Sequence, residues 1–128
     1  MPEIANAARL LTVACSEESR RAGWHNDLKT GLPRTQEQND DFFGTRIALV
    51  HSELSEALEG HRKGLPDDHL PHRGSAEVEL ADALIRIFDL AGVMNYDVAG
   101  ALAEKLKYNA ERADHKVANR RKAGGKAY

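Results

Sequence analysis

The sequence predicts an all-α fold, and three observations carry that prediction. Apolar residues recur at the helical period in four segments, glycines, prolines and capping residues separate these segments, and little of the chain alternates as a strand does. The length of 128 residues suits one domain. We expect this domain to cover residues 1–114 and to be followed by a basic, flexible tail at residues 115–128.

Composition and charge exclude several classes of protein. A net charge of −2 provides no basic field for nucleic acid, and no apolar run is long enough for a membrane span. The single cysteine, Cys15, rules out an internal disulfide and fits a reducing compartment. The first residues lack the basic and apolar regions of a secretion signal, so we expect a cytoplasmic protein with neither nucleic acid nor membrane as a partner.

A long polar stretch separates the first two predicted helices. An apolar stripe beginning at Ile4 predicts a helix that runs to Gly23. Glycine and proline then interrupt regular structure from about Asn26 to Asn39, and a connection of this length favours a lid or a substrate loop. The second helix is expected from about Asp41 to Lys63, where a glycine and then a proline end it.

Two further helices complete the predicted fold. Ser75 is a good N-cap for a third helix that ends near Asn95. Asp97 is expected to cap a fourth helix that runs to about Asp114. The third segment is apolar on nearly every side, a pattern typical of a buried helix.

Two acidic pairs lie on the second and third predicted helices. Glu53 and Glu56 are three residues apart, as are Glu79 and Asp82, so the members of each pair share a helix face. Charges retained in a buried helix need a partner or a cation. Two antiparallel helices can gather the four carboxylates into a site that suits Mg²⁺ or Mn²⁺ rather than zinc. For Glu53 and Glu56 the alternative is a solvated helix face, and for Glu79 and Asp82 it is an internal ion pair with Arg86.

The inner face of the fourth predicted helix becomes cationic part-way along. Lys105, Asn109 and Arg112 follow one another at spacings of four and then three residues. Arginine offers a planar fork to phosphate oxygens, lysine a point charge and asparagine a neutral donor. Carboxylates on one wall and these residues on another favour a polyphosphate site.

Three ordered motifs resemble the all-α nucleoside triphosphate pyrophosphohydrolases of the MazG type. The motifs are His51-Ser52-Glu53-Leu54-Ser55-Glu56-Ala57, Glu79-Leu80-Ala81-Asp82-Ala83 and Lys105-x-x-x-Asn109-x-x-Arg112. With their intervening residues they span roughly Phe43 to Arg112, a little over half of the chain. The first helix, which ends at Gly23-Trp24, is also similar to the first helix of that family.

The resemblance implies a four-helix bundle completed as a homodimer or homotetramer. It implies hydrolysis of an NTP or dNTP to the monophosphate and pyrophosphate, with a purine nucleotide such as dGTP or GTP as a working guess. The catalytic carboxylates would hold two or more Mg²⁺ or Mn²⁺ ions, with Glu53 a guess for the general base, and the cationic set would bind phosphates. These residues are Glu53, Glu56, Glu79 and Asp82, then Lys105, Asn109 and Arg112. Trp24 is a candidate for stacking on the base, with core packing as the alternative.

Several alternatives stay open at this point. A phosphoribosyl-ATP pyrophosphohydrolase shares the architecture and the acidic pattern, and a non-catalytic helical oligomerisation module needs no metal at all. A ferritin-like di-iron bundle fails, because no histidine follows a glutamate by three residues. Glu59 can be a fifth ligand or a solvated side chain, and His61, His69 and His72 can form a soft-metal site or lie exposed in and beside one loop.

Overall fold

The computed structural model describes residues 2–128, and this part of the chain is all-α. Its helices are α1 Pro2–Arg21, α2 Gln36–Lys63, α3 Ser75–Met94, α4 Val98–Glu111 and α5 Val117–Arg120, with a 3₁₀ turn at Ala113–His115. The chain divides into two compact units, residues 10–96 and a second unit that joins the N-terminal residues up to Arg9 to Asp97–Tyr128. No helix in residues 2–128 combines the length and apolarity needed to cross a membrane.

Helix α2 begins five residues before the predicted start at Asp41. Thr35 and Gln38 form a reciprocal capping box, in which the Thr35 hydroxyl accepts from the Gln38 backbone N–H at 3.2 Å and the Gln38 side chain accepts from the Thr35 N–H at 2.9 Å. The polar residues that suggested a loop are therefore the first turn of the helix. At the other end, Gly64 adopts a left-handed conformation with φ 62°, which confirms the predicted glycine cap.

The ends of α3 and α4 agree with the prediction in part. Ser75 is the first residue of α3, so Gly74 and not Ser75 is its N-cap. The Glu77 carboxylate accepts a hydrogen bond from the Gly74 backbone N–H. Asn95 ends α3 in the left-handed region with φ 55°, as predicted. Asp97 caps α4 by accepting from a backbone N–H at 2.9 Å, but α4 ends at Glu111 rather than near residue 114. The predicted tail contains α5, and its flexibility stays a prediction.

Helices α2 and α3 pack closely and run antiparallel. Gly60 near the end of α2 meets Ser75 at the start of α3, while Glu53 contacts Arg86 further along. A Cβ built on Gly60 would lie 2.5 Å from the Ser75 Oγ, so only glycine allows this approach. The buried apolar residues of the pair are mostly small or flexible: Val50, Ala57, Ala83, Phe88, Leu90, Ala91 and Met94.

One side of α3 is exposed, which corrects the expectation of a helix buried nearly all round. Leu80 and Leu84 are 51% and 53% exposed, and Ile85 and Ile87 are exposed as well. The face of α3 that carries Glu79, Ala83 and Arg86 lies against α2, and the neighbouring apolar face is left uncovered. Contiguous apolar residues on a protein surface commonly mark an interaction face.

Substitution by alanine should have opposite effects on stability at two glycines of α2. We expect Gly60→Ala to lower the free energy of unfolding by about 1–3 kcal/mol, because the new methyl group would force α2 and α3 apart. Gly44 is also inside α2 but has nothing within 4 Å of a built Cβ, so Gly44→Ala should raise stability by about 0.5–1 kcal/mol. Urea unfolding of both variants tests this, and destabilisation of equal size in both would contradict the close packing at Gly60.

Candidate metal centre

Three carboxylates from α2 and α3 converge on one small volume. Glu53, Glu56 and Glu79 each place one oxygen so that the three oxygens lie within 4.8 Å of one another. Glu53 is buried, Glu79 is half-buried and Glu56 is exposed, so the group opens towards solvent at Glu56. Spacing along α2 puts Glu53 and Glu56 on one face, and the antiparallel packing brings Glu79 opposite them.

Glu79 holds a proton in this arrangement. A hydrogen bond with Glu53, burial and the negative charges of Glu56 and Glu53 raise the pKa of Glu79 to about 8. The second carboxyl oxygen of Glu79, Oε2, is buried and has no hydrogen-bond partner. A buried oxygen without a partner is costly, and a proton donor or a cation beside it would satisfy it.

Glu53 is the ionised partner of Glu79. Burial acts to raise the pKa of Glu53, but hydrogen bonds from Glu79 and Arg86 and the Arg86 charge outweigh it and hold that pKa below its ordinary value. The Arg86 Nε donates to the Glu53 Oε1 at 2.8 Å. Arg86 therefore forms an ion pair with the carboxylate of the other helix, and not with Glu79 or Asp82 as the alternative predicted from sequence had it.

Asp82 lies near this group without joining the three converging oxygens. Burial and the charges of Glu53 and Asp67 raise the pKa of Asp82, and the charge of Arg86 offsets part of that rise. Asp67, in the loop between α2 and α3, is itself buried, and its Oδ2 accepts from the backbone N–H groups of His69 and Leu70 at 2.9 and 2.8 Å. No role was predicted for Asp67, because a loop aspartate that caps a turn carries no spacing signal.

The donor set fits a hard divalent cation. All the converging ligands are carboxylate oxygens, which suit Mg²⁺ or Mn²⁺. Such a cation would replace the Glu79 proton, supply a partner for its buried oxygen and offset the mutual repulsion of the carboxylates. Glu53, Glu56 and Glu79 are the residues that can hold it, with Asp82 within electrostatic reach of Glu53.

Other candidate metal ligands from the sequence take no part in a converging group. Glu59 pairs with Lys63 at 2.5 Å on the exposed side of α2. Within residues 2–128, no histidine joins a set of three convergent metal-ligating side chains. His61, His69 and His72 are all exposed, so the soft-metal alternative gains no support from the geometry.

The predicted phosphate-binding residues belong to the second unit. Lys105 is exposed, with its Nζ 4.7 Å from the centroid of the Tyr108 ring. Asn109 has a buried side-chain oxygen without a partner. Arg112 lies just beyond the end of α4 and pairs with Asp114 at 2.6 Å. Their placement beside the carboxylates stays a prediction.

Trp24 follows α1 and is 72% exposed, so its ring is not packed in a core. Its backbone carbonyl accepts from the Arg34 Nη1 at 2.8 Å. Base stacking by Trp24 stays a prediction, but the alternative of core packing is wrong.

A second polar group, in the unit of residues 10–96, was not predicted from the sequence. Asp89 accepts from the Ser19 hydroxyl at 2.9 Å and lies 2.7 Å from the His25 Nε2, which joins the loop after α1 to α3. Arg46 has a buried Nη1 without a partner, and burial lowers the pKa of its guanidinium. Asp89 lies on the same face of α3 as Asp82 and Arg86, and this was the only sign of the group in the sequence. Ser19 and His25 belong to no motif.

Comparison with known proteins found no match for this chain. No protein-family model, no curated protein and no solved structure matches the chain.

The pKa of Glu79 predicts how stability changes with pH. In the folded chain Glu79 keeps its proton up to about pH 8, whereas in the unfolded chain it does so only below its ordinary pKa of 4.5. The folded state therefore binds more protons in this interval, and the metal-free protein should lose stability as the pH rises through it. Thermal unfolding in EDTA across the interval measures the effect.

Two variants identify the group that causes this loss of stability with pH. Glu79→Gln is neutral at every pH and should flatten the decline, whereas the same change at exposed Glu104 should leave it intact. In the wild-type protein, stabilisation by Mn²⁺ should grow with pH because the cation displaces the Glu79 proton. A decline of equal steepness in Glu79→Gln would show that another group causes it.

Proposed function

We propose that the protein is a metal-dependent pyrophosphohydrolase that converts an NTP or dNTP to the monophosphate and pyrophosphate. The observation that carries the proposal is the convergence of Glu53, Glu56 and Glu79 within 4.8 Å, with a buried Glu79 oxygen that lacks a partner. Helix-borne carboxylates gathered in this way suit divalent cations, and bound cations would allow a negatively charged polyphosphate to approach them. The order of the three sequence motifs adds the resemblance to the MazG-type family.

The proposed mechanism divides the work between two sets of side chains. Glu53, Glu56, Glu79 and Asp82 would hold Mg²⁺ or Mn²⁺ ions, which when bound neutralise phosphate charge and acidify water. Lys105, Asn109 and Arg112 would bind phosphate oxygens and hold the chain of phosphates in line. Water then adds to a phosphorus of the substrate, the bond to the pyrophosphate group breaks, and a carboxylate takes up the proton that the water loses.

The proposal includes assembly as a homodimer or homotetramer. Leu80, Leu84 and Ile87 recur at spacings of four and three residues, so they form one exposed apolar face of α3. On α2, Leu54 and Leu58 are exposed as well. Burial of such faces against a second copy would complete a helical bundle of the proposed MazG type and remove apolar surface from water.

The first test is release of pyrophosphate from the common NTPs and dNTPs in the presence of Mg²⁺ or Mn²⁺. We expect metal-dependent release with a preference among bases, and a loss of about 100-fold or more in Glu79→Ala and Glu79→Gln. Glu104→Gln is the matched control and should retain full activity, because Glu104 is exposed on α4.

The outcomes separate the alternatives. No release from any nucleotide would make phosphoribosyl-ATP the next substrate, since that reaction uses the same acidic pattern. If that substrate also stays intact and Glu79→Ala changes nothing, the protein is better described as a non-catalytic oligomerisation module, a role that the exposed face of α3 would support.

A separate prediction concerns assembly. We expect the wild-type protein to sediment as a dimer or tetramer and Leu84→Glu to sediment as a monomer, because a buried carboxylate would oppose closure of the interface. Leu28→Glu is the control, since Leu28 is almost fully exposed in the loop after α1. Analytical ultracentrifugation at several concentrations makes the measurement, and a monomeric wild type at high concentration would contradict the prediction.

A further inference from the structure

Arg86 extends from the buried carboxylates to solvent. Its Nε donates to the Glu53 Oε1 at 2.8 Å, and its side chain is 41% exposed whereas that of Glu53 is 11% exposed. A guanidinium group has five N–H donors, of which this bond uses one. Within residues 2–128, no protein group accepts a hydrogen bond from the Arg86 Nη1 or Nη2.

The position of Arg86 on α3 places its guanidinium group beside the candidate metal centre, because it is bonded to Glu53. Glu79, Asp82 and Arg86 follow one another at spacings of three and four residues and therefore share one face. Arg86 is one turn beyond Asp82 and is bonded across to Glu53 on α2. It is thus a positive group fixed at the edge of a cluster that is otherwise negative.

We propose, on the basis of the proposed function, that Arg86 binds the phosphates of the substrate in this same site. Its Nε remains on Glu53, which orients the guanidinium plane, and Nη1 and Nη2 donate to phosphoryl oxygens that the cations leave uncovered. The planar fork of arginine matches two phosphate oxygens at once, a geometry that a lysine ammonium cannot reproduce. The ligand class is therefore a polyphosphate, and the bond to Glu53 orients the guanidinium group that binds it.

A purely structural role for Arg86 makes a different prediction. If the side chain only neutralises the buried Glu53, a lysine that keeps the charge should preserve every property of the site. If Arg86 binds phosphate, a lysine keeps the ion pair with Glu53 but loses the Nη1 and Nη2 donors. Arg86→Lys therefore separates the two roles, and Arg86→Gln removes both.

The experiment compares Arg86→Lys, Arg86→Gln and the control Arg62→Gln, because Arg62 is exposed on α2 and has no ion pair among residues 2–128. Three quantities are measured by calorimetry and kinetics: Mn²⁺ affinity, affinity for inorganic pyrophosphate in Mn²⁺, and kcat/KM for pyrophosphate release. We expect Arg86→Lys to bind Mn²⁺ like the wild type but to bind pyrophosphate about 10- to 100-fold more weakly, with a similar fall in kcat/KM.

Each outcome decides one question. Wild-type pyrophosphate affinity and kcat/KM in Arg86→Lys would overturn the proposal, as would a wild-type protein that binds no pyrophosphate in Mn²⁺. Weaker pyrophosphate binding in Arg86→Lys, with the wild type releasing pyrophosphate from no nucleotide, would support Arg86 as a phosphate ligand while the proposed hydrolase activity fails. Arg62→Gln should match the wild type in all three measurements, and an equal loss there would also overturn the proposal.

Discussion

The close approach of α2 to α3 is the constraint on which the candidate site depends. Gly60 has no side chain where it meets Ser75, and the buried Ala57 and Ala83 are small, so the two helices can lie near one another. That proximity brings carboxylates of the two helices together, although their charges repel. The repulsion is relieved by a proton on Glu79, and further along the pair by the charge of Arg86. Packing of small residues thus determines the electrostatics of the site.

Local chemistry made part of this structure predictable. The glycine and asparagine that end α2 and α3, and the aspartate that caps α4, each act on backbone groups within a few residues, and their roles are confirmed. The acidic pairs were readable for the same reason, since a spacing of three fixes a shared face. The start of α2 was predicted wrongly because polar composition was given more weight than the capping box at Thr35 and Gln38.

The remaining features depend on contacts between elements, which spacing does not specify. A helical wheel places Arg86 beside Glu79 and Asp82, yet it pairs with Glu53 on the other helix. Nor does apolarity reveal what covers a surface: Leu80 and Leu84 belong to a segment that reads as buried, but they are exposed in the single chain. The bond from Ser19 to Asp89 joins residues 70 positions apart and leaves no trace in the local pattern.

The modest core has a consequence for how the protein survives dilution. None of the side chains of residues 2–128 is completely shielded from solvent, and alanine is the commonest residue among the buried apolar ones. Alanines contribute little apolar area, so a lone chain gains less from folding than its length would allow. If a second copy covers α3, the free energy of assembly becomes part of the free energy of folding, and mass action then governs both. The melting temperature would rise with protein concentration, and the folded state would depend on association of two chains rather than on one chain alone.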